Sequence, residues 1–243
     1  ILEAALECKI QRFALISTDK AVEPVSVYGC SKMLCEKLVI DAAKKAGNES
    51  SFMFVRFGNV LGSRGSILPL FIEQIKNGGP LTVTSKKMER FFMTIPEACS
   101  LVLQTGGVGK NGSSYLLDMG EPVKIVTLAE QIIRFSGLEP YKDIDIKFIG
   151  ARKGERDIEP LWLTEEKPAA TEYKKILELT NIDELTVQLE QLLEQLEPVC
   201  IFNKNKAEFF RNKEKLIEIL AKAVPSYNEF LESTIKSNSD RNF

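Results

Sequence analysis

The chain has 243 residues, 44% of them hydrophobic, with 32 basic and 34 acidic side chains and a net charge of −2. That is enough apolar material for one large domain, or a domain with an appendage, and the interspersed charges create no overall field for nucleic acid or an anionic membrane. The absence of histidine excludes serine–histidine and cysteine–histidine catalysis and histidine metal sites, so proton transfer falls to Asp, Glu, Lys or Tyr and no metal centre is expected.

In chain order, Ile1-Leu2-Glu3-Ala4-Ala5-Leu6 reads as the end of a helix already under way, so a fragment of a longer protein is expected. An apolar strand over 11–16 ends in Ser17-Thr18-Asp19-Lys20, and a helix runs from about Tyr28 to Lys45, closed by Gly47. A second buried strand over 51–57 leads into a loop with three glycines at 58, 62 and 65, which lets backbone approach a ligand closely. A helix over 67–76, a short strand over 81–84, a helix from near Pro96 to about Gln104, a strand over 114–117, a helix over 126–135 and a strand over 144–148 complete an alternating α/β pattern. A charged turn follows at Ala151-Arg152-Lys153-Gly154-Glu155-Arg156.

Beyond about Pro168 the chain is rich in Glu, Gln, Lys and Leu, with helices expected over 182–196 and 205–223, separated by Pro198, and a frayed polar tail from Ser233. The domain division is therefore 1–165 for the α/β part and 166–243 for a helical appendage, whose leucine-rich faces suggest a homo-oligomer. The five cysteines, at 8, 30, 35, 99 and 200, form no CxxC pair and read as packing residues in a reducing compartment. No apolar stretch of spanning length and no signal peptide is visible. These residues are expected to make no membrane contact and to be cytoplasmic, with an upstream anchor in the parent as the alternative.

The chemistry centres on Tyr28 and Lys32, one helical turn apart on one face and close in sequence to the polar end of the first strand, where open α/β sheets place ligands. An ammonium group beside a phenol favours the phenolate, which can act as a base. A lone YxxxK is weak evidence, and an exposed helix turn is its usual meaning.

Five motifs in order make the pattern specific: Ser17-Thr18-Asp19-Lys20, Tyr28 with Lys32, the run from Val55-Arg56-Phe57-Gly58-Asn59 through Gly62-Ser63-Arg64-Gly65-Ser66, Arg90-Phe91-Phe92-Met93-Thr94, and Arg152-Lys153-Gly154-Glu155. Together they resemble nucleotide-sugar 4,6-dehydratases of the polysaccharide-biosynthesis family, in the extended short-chain dehydrogenase/reductase superfamily, over about residues 1–165. The resemblance implies the second half of a Rossmann-like parallel sheet, a small α+β substrate-binding part, and the helical appendage. Two departures stand out. No glycine-rich dinucleotide fingerprint precedes the first strand, and residues 152–161 depart from the family's RPGEK and acidic-leucine pattern.

By the resemblance, the cofactor is NADP, with NAD as the alternative, and the substrate is a UDP-sugar, UDP-N-acetylglucosamine in the best-described members. Oxidation at carbon 4, loss of water across carbons 5 and 6, and hydride return to carbon 6 then follow. Tyr28 is the base at the 4-hydroxyl, Thr18 orients that hydroxyl, and Lys32 supports Tyr28 and contacts the cofactor beside Phe57 and Gly58. Asp19 and Lys20 supply the acid and base of elimination; which is which stays open, with Lys20 preferred as base. Asn59, Gly62, Ser63 and Arg64 are expected to cradle the nucleotide, Arg90 its pyrophosphate, and Arg152 and Glu155 its ribose. The bland alternative makes Arg56, Arg64 and Arg90 surface salt-bridge partners. Two other functions compete: a 4-epimerase, which needs no Asp-Lys pair, and a noncatalytic assembly module built on the late helices.

Overall fold

The computed structural model describes residues 1–151, 154–180 and 189–239. The chain begins with α1 (Leu2–Glu7) and β1 (Arg12–Ile16), makes a 3-10 turn at Asp19–Ala21, and enters the 20-residue helix α2 (Val27–Ala46). β2 (Ser51–Arg56) is buried along all but its first residue, which is why it reads as an unbroken apolar run. There follow β3 (Asn59–Leu61), α3 (Ile67–Lys76), β4 (Leu81–Val83), β5 (Glu89–Arg90), β6 (Phe92–Thr94), α4 (Ile95–Val108), β7 (Ser114–Leu117), β8 (Val123–Lys124), α5 (Ile125–Phe135) and β9 (Ile146–Phe148). A hairpin of β10 (Lys167–Ala170) and β11 (Ile176–Thr180) precedes three helices, α6 (Leu189–Cys200), α7 (Lys213–Ala223) and α8 (Pro225–Ser239).

The main sheet has the order β1-β2-β7-β11-β10. β1, β2 and β7 are parallel, with Phe13 opposite Phe52 and Val55 opposite Tyr115, while β11 runs antiparallel to β7 and β10 antiparallel to β11. Parallel strands need crossover connections, and α2 and α4 lie in the two connections that this sheet requires. The result is a Rossmann-like α/β sheet. Where β2 ends, the chain leaves it for a small α+β part: β3 pairs with β6, β4 with β9 and β5 with β8, around a separate core that includes Phe71, Leu81, Ile125 and Ile133.

The late region differs from its sequence reading. Residues 167–180 belong to the main sheet rather than to an appendage, because Ile176 and Leu179 are buried against β7 and its neighbours. Among the described residues the helical unit comprises α6, α7 and α8; the expected helix start at 182 lies outside them. Pro198 falls inside the last turn of α6 rather than between helices, and a 3-10 stretch at Lys204–Phe209 replaces the start of the second expected helix. α8 continues through Ser239, where a frayed tail was expected. Pro225 opens α8, a favourable first-turn position, and Tyr227 anchors it in the core.

These helices lie against α2. Leu192, Leu196, Val199, Ile219, Leu220 and Tyr227 form one buried cluster with Cys30 and Leu34 of α2. Leu192, Leu196 and Leu220, among the leucines that suggested self-association, are thus buried within the chain, while Leu193 stays exposed. Of the five cysteines, all free, Cys30 is fully buried and Cys35 partly so; Cys8, Cys99 and Cys200 are exposed, so packing does not explain these three. α4 runs four residues past its expected end. Thr105 donates back to the Leu101 carbonyl at 2.8 Å, and the Arg12 side chain binds the carbonyls of Gly106 and Gly109, so a tertiary contact closes the helix.

Candidate active site

The end of β1 is held on β2, with the Ser17 amide on the Val55 carbonyl at 2.8 Å and the Asp19 amide on the Phe57 carbonyl at 3.2 Å. This carries the ladder into the polar quartet and fixes Thr18, Asp19 and Lys20 at the carboxyl rim of the parallel strands. Thr18 caps the short turn that follows and donates its hydroxyl to Asp19 Oδ1 at 2.8 Å, while the Lys20 ammonium sits 3.0 Å from the same oxygen.

α2 is brought against this quartet by a close backbone approach. Ser26 caps the helix, its hydroxyl accepting from the Gly29 amide. A Cβ on Gly29 would stand 2.3 Å from the Lys20 carbonyl oxygen, so only glycine lets the first turn lie this close. The Lys32 ammonium donates to the Ile16 carbonyl at 2.9 Å, tying the second turn of the helix to the end of β1. Tyr28, 55% exposed, stands one turn earlier on the same face.

Thr18, Lys20, Tyr28 and Lys32 line a single cleft of about 660 Å³. Phe57, Gly58, Asn59, Ser63 and Arg64 line it from the β2–α3 connection, and Arg90 and Glu155 from the far wall. Two candidates are not on its wall. Asp19 is 0% exposed, buried behind Thr18 and Lys20, and its Oδ2 has no hydrogen-bond partner among the described residues; Gly62 lies in the exposed loop. Arg152 lies outside the described residues. A larger cleft of about 860 Å³, between α2, α8 and residues 156–165, contains none of the candidate residues.

Arg90 is buried, and its guanidinium donates to the carbonyls of Glu89, Arg156 and Asp157, with Glu159 3.7 Å away. In this arrangement it pins the segment after the charged turn onto β5. Gly154, at φ 86°, packs against the Val25 carbonyl, and Arg156 donates to the Glu23 carbonyl, so that turn is docked on the chain entering α2. Glu155 is thereby brought to the same cleft as Tyr28, 127 residues away in sequence.

The sequence reading missed two features. Glu159, 6% exposed, lines the cleft, and burial pushes its carboxyl above the usual range against the pull of Lys20 and Arg90. Its only sequence signal was a carboxylate within the segment that departs from the family pattern. The second is a buried network beneath the rim. Arg56 forms a bidentate pair with Glu36 at 2.8 Å and donates to Glu166 at 2.6 Å, while Ser17 donates to Glu36. Burial opposes the Arg56 charge, but Glu36 and Glu166 outweigh it and raise its pKa. Arg56 is therefore an interior strut, not a surface salt-bridge partner, and it joins β1, α2, β2 and the segment leading into β10.

No group of three acidic or sulfur side chains capable of holding a metal occurs among the described residues, and none of their helices is long and apolar enough to cross a membrane. The chain is 49% identical over 176 residues to the capsular polysaccharide biosynthesis protein CapD of Staphylococcus aureus, covering 72% of this chain and 29% of that protein. It is 39% identical over 171 residues to a UDP-glucose 4-epimerase of Rickettsia canadensis, covering 70% and 49%. The chain thus spans less than half the length of either. The crystal structure of Pen from Bacillus thuringiensis superimposes with a TM-score of 0.65 at 32% identity, covering 73% of this chain and 55% of that one. With residues 1–181 matching the family model for polysaccharide biosynthesis proteins, the chain belongs to that family.

Proposed function

We propose that this chain is the catalytic and substrate-binding half of a cytoplasmic nucleotide-sugar 4,6-dehydratase that acts on UDP-N-acetylglucosamine with NADP, in surface polysaccharide or glycan biosynthesis. The observation that carries this reading is the meeting of Thr18, Lys20, Tyr28 and Lys32 on one cleft, with Lys20 paired to a buried aspartate.

Tyr28, Lys32, Phe57 and Gly58 form the stretch of wall suited to the nicotinamide end of the cofactor. A phenol and an ammonium group one turn apart at the strand ends are the donor set that a ribose and a reacting hydroxyl require. When bound, the nicotinamide would supply the hydride acceptor for carbon 4 and the hydride donor for carbon 6. Tyr28 takes the proton of the 4-hydroxyl, Thr18 orients that hydroxyl, and Lys32 stabilises the phenolate. Once carbon 4 is a ketone, the proton on carbon 5 becomes acidic, and Lys20 is the cleft-facing base that removes it. Asp19, 3.0 Å from the Lys20 side-chain nitrogen and with its Oδ2 unpartnered among the described residues, is the acid of the couple that protonates the leaving hydroxide. On the nucleotide side, Asn59, Ser63 and the 63–66 backbone at the start of α3 face the phosphates, where the helix dipole favours anions. Arg64 adds a charge there, and Glu155 faces the ribose.

The experiment compares NADP titrations and turnover of this chain with those of the same polypeptide extended at its amino end. The extended form is expected to bind NADP and to yield a 4-keto-6-deoxy sugar, detectable by its absorbance in alkali. Tight NADP binding by the short chain, or no such ketone from the extended one, sinks the reading. A 4-epimerase is the second reading, favoured by the similarity to the Rickettsia epimerase. It predicts an epimer and no ketone from the same assay.

A further inference from the structure

The loop after β2 holds three glycines that serve different ends. Gly62 and Gly65 have positive φ values of 76° and 77° and nothing within 4 Å of where a Cβ would stand, so their backbone conformation calls for glycine. Gly58 is the reverse. Its φ lies outside the left-handed region, so a side chain suits its backbone, and what it lacks is room. A Cβ there would stand 3.1 Å from Asp19 Oδ2, 3.2 Å from Met119 Sδ and 3.3 Å from Phe91 Cβ. The strand ladder explains this meeting: the Asp19 amide donates to the Phe57 carbonyl, which sets residue 58 beside Asp19.

These three neighbours are not equally free to yield. Phe91 Cβ moves only with its backbone, whose carbonyl accepts from the Asn59 amide at 3.0 Å, and the Met119 sulfur accepts from the Gly58 amide itself. Asp19 Oδ2 has no hydrogen-bond partner among the described residues, while Oδ1 is held by Thr18 and Lys20. A methyl group on residue 58 would therefore displace the free oxygen of Asp19 first. Gly58 also lines the cleft, so that oxygen stands directly behind a residue with no side chain.

We propose that Gly58 is a positioning residue for the acid of elimination: its missing side chain is the space that keeps Asp19 Oδ2 in place to protonate the leaving hydroxide. This assignment rests on the dehydratase reading. In that step Lys20 takes the proton from carbon 5, the electron pair of that bond forms the double bond between carbons 5 and 6, the carbon 6–oxygen bond breaks, and Asp19 delivers its proton so that water leaves. Lys20 then returns its proton to carbon 5 as hydride reaches carbon 6, and Asp19 regains one from water. Misplacing a reacting group by about 1 Å costs on the order of 10²-fold in rate, so a methyl that shifts the carboxyl by part of that distance slows this step and leaves binding alone.

The test uses single turnovers of the amino-terminally extended protein with NADP and UDP-N-acetylglucosamine, comparing the wild type with Gly58→Ala, Asp19→Asn and the double variant. Reduced nicotinamide, 4-keto-6-deoxy sugar, NADP affinity and unfolding are followed separately. Gly58→Ala is expected to fold, to bind NADP as the wild type does and to form reduced nicotinamide at the wild-type rate, yet to make the ketone roughly 10–10²-fold more slowly. On the Asp19→Asn background the same methyl should add no further loss, because it acts through the carboxyl already removed. Ketone formation by Gly58→Ala at the wild-type rate overturns the proposal. So does a matching loss of nicotinamide reduction or NADP affinity, which would make Gly58 a cofactor contact alone, and so does an independent loss in the double variant or a failure of Gly58→Ala to fold. A wild type that makes no ketone at all overturns the dehydratase reading and this assignment with it.

Discussion

α2 presents two unlike faces. Tyr28 and Lys32 look into a half-open polar cleft, while Cys30 and Leu34, two residues along from each, are sealed in a dry cluster with Leu192, Leu196, Ile219 and Tyr227 from the three late helices. The face that carries the chemistry is weakly held by its own contacts: an exposed tyrosine and one lysine–carbonyl hydrogen bond. The opposite face holds the helix where it is. A catalytic side chain can remain open to substrate only if something else fixes its backbone, and here the appendage and the interior network provide that. Mutations on the two sides should therefore separate: stability on one, turnover on the other.

The largest effect is expected from Arg56→Leu. It would leave Glu36 and Glu166 buried without their shared cation, and breaking a buried pair in this way costs about 3–5 kcal/mol. Denaturant unfolding should show it, and a loss below about 1 kcal/mol would mean that the network is not the strut described above. Next is Leu192→Ala, which removes a fully buried side chain from the seam between α6 and α2 and should cost about 2–4 kcal/mol. Gly29→Ala belongs to both sides of the comparison. Its methyl would overlap the Lys20 carbonyl, forcing helix and quartet apart, with a stability cost of about 1–3 kcal/mol and a loss of turnover together.

A smaller effect should appear in alkali. Burial pushes the Cys30 thiol up to about 12, while the thiol of an unfolded chain ionises near ~8.5. Between those values the folded state keeps a proton that the unfolded state releases, so the contribution is fully present below the lower value and stability falls as pH rises through the window. Burial and the nearby Cys30 raise the Tyr227 phenol as well, which adds a decline of the same sign. Unfolding midpoints measured at neutral pH and at about pH 10.5 should differ less in Cys30→Ala than in the wild type.

The parts of this comparison differ in how far the sequence reveals them. Strand cores and helices were legible because periodicity is local: α3 and β7 fall where apolar spacing puts them, and α2 within a residue at each end. Tyr28, Lys32 and Lys20 were legible because their spacing is short. Glu159 and the Arg56 network were not, since their meaning depends on residues brought together from distant positions, 20 and 110 apart in the two Arg56 ion pairs. The β10–β11 hairpin was missed for a related reason. Ile176-Leu177-Glu178-Leu179-Thr180 also suits a helix, and only pairing with β7 makes it a strand. The late helices were recognised as amphipathic, yet nothing local said that their buried residues would meet Cys30 and Leu34 of α2.

The sharpest form of the comparison is its smallest predicted change in stability. Tyr28 is more than half exposed, and no packing is lost when its hydroxyl is removed, so Tyr28→Phe should alter unfolding by less than about 0.5 kcal/mol. Its turnover, measured in the extended protein, should fall by roughly 10²–10⁴-fold if the phenolate is the proposed base for the first proton. Leu192→Ala should show the reverse, a large loss of stability with turnover per folded molecule nearly kept. The pair is informative because the two residues act on the same helix within a few turns of each other. If Tyr28→Phe destabilises the chain as much as Leu192→Ala does, the hydroxyl is part of what holds α2 in place, and the division between a reactive face and a supporting face fails.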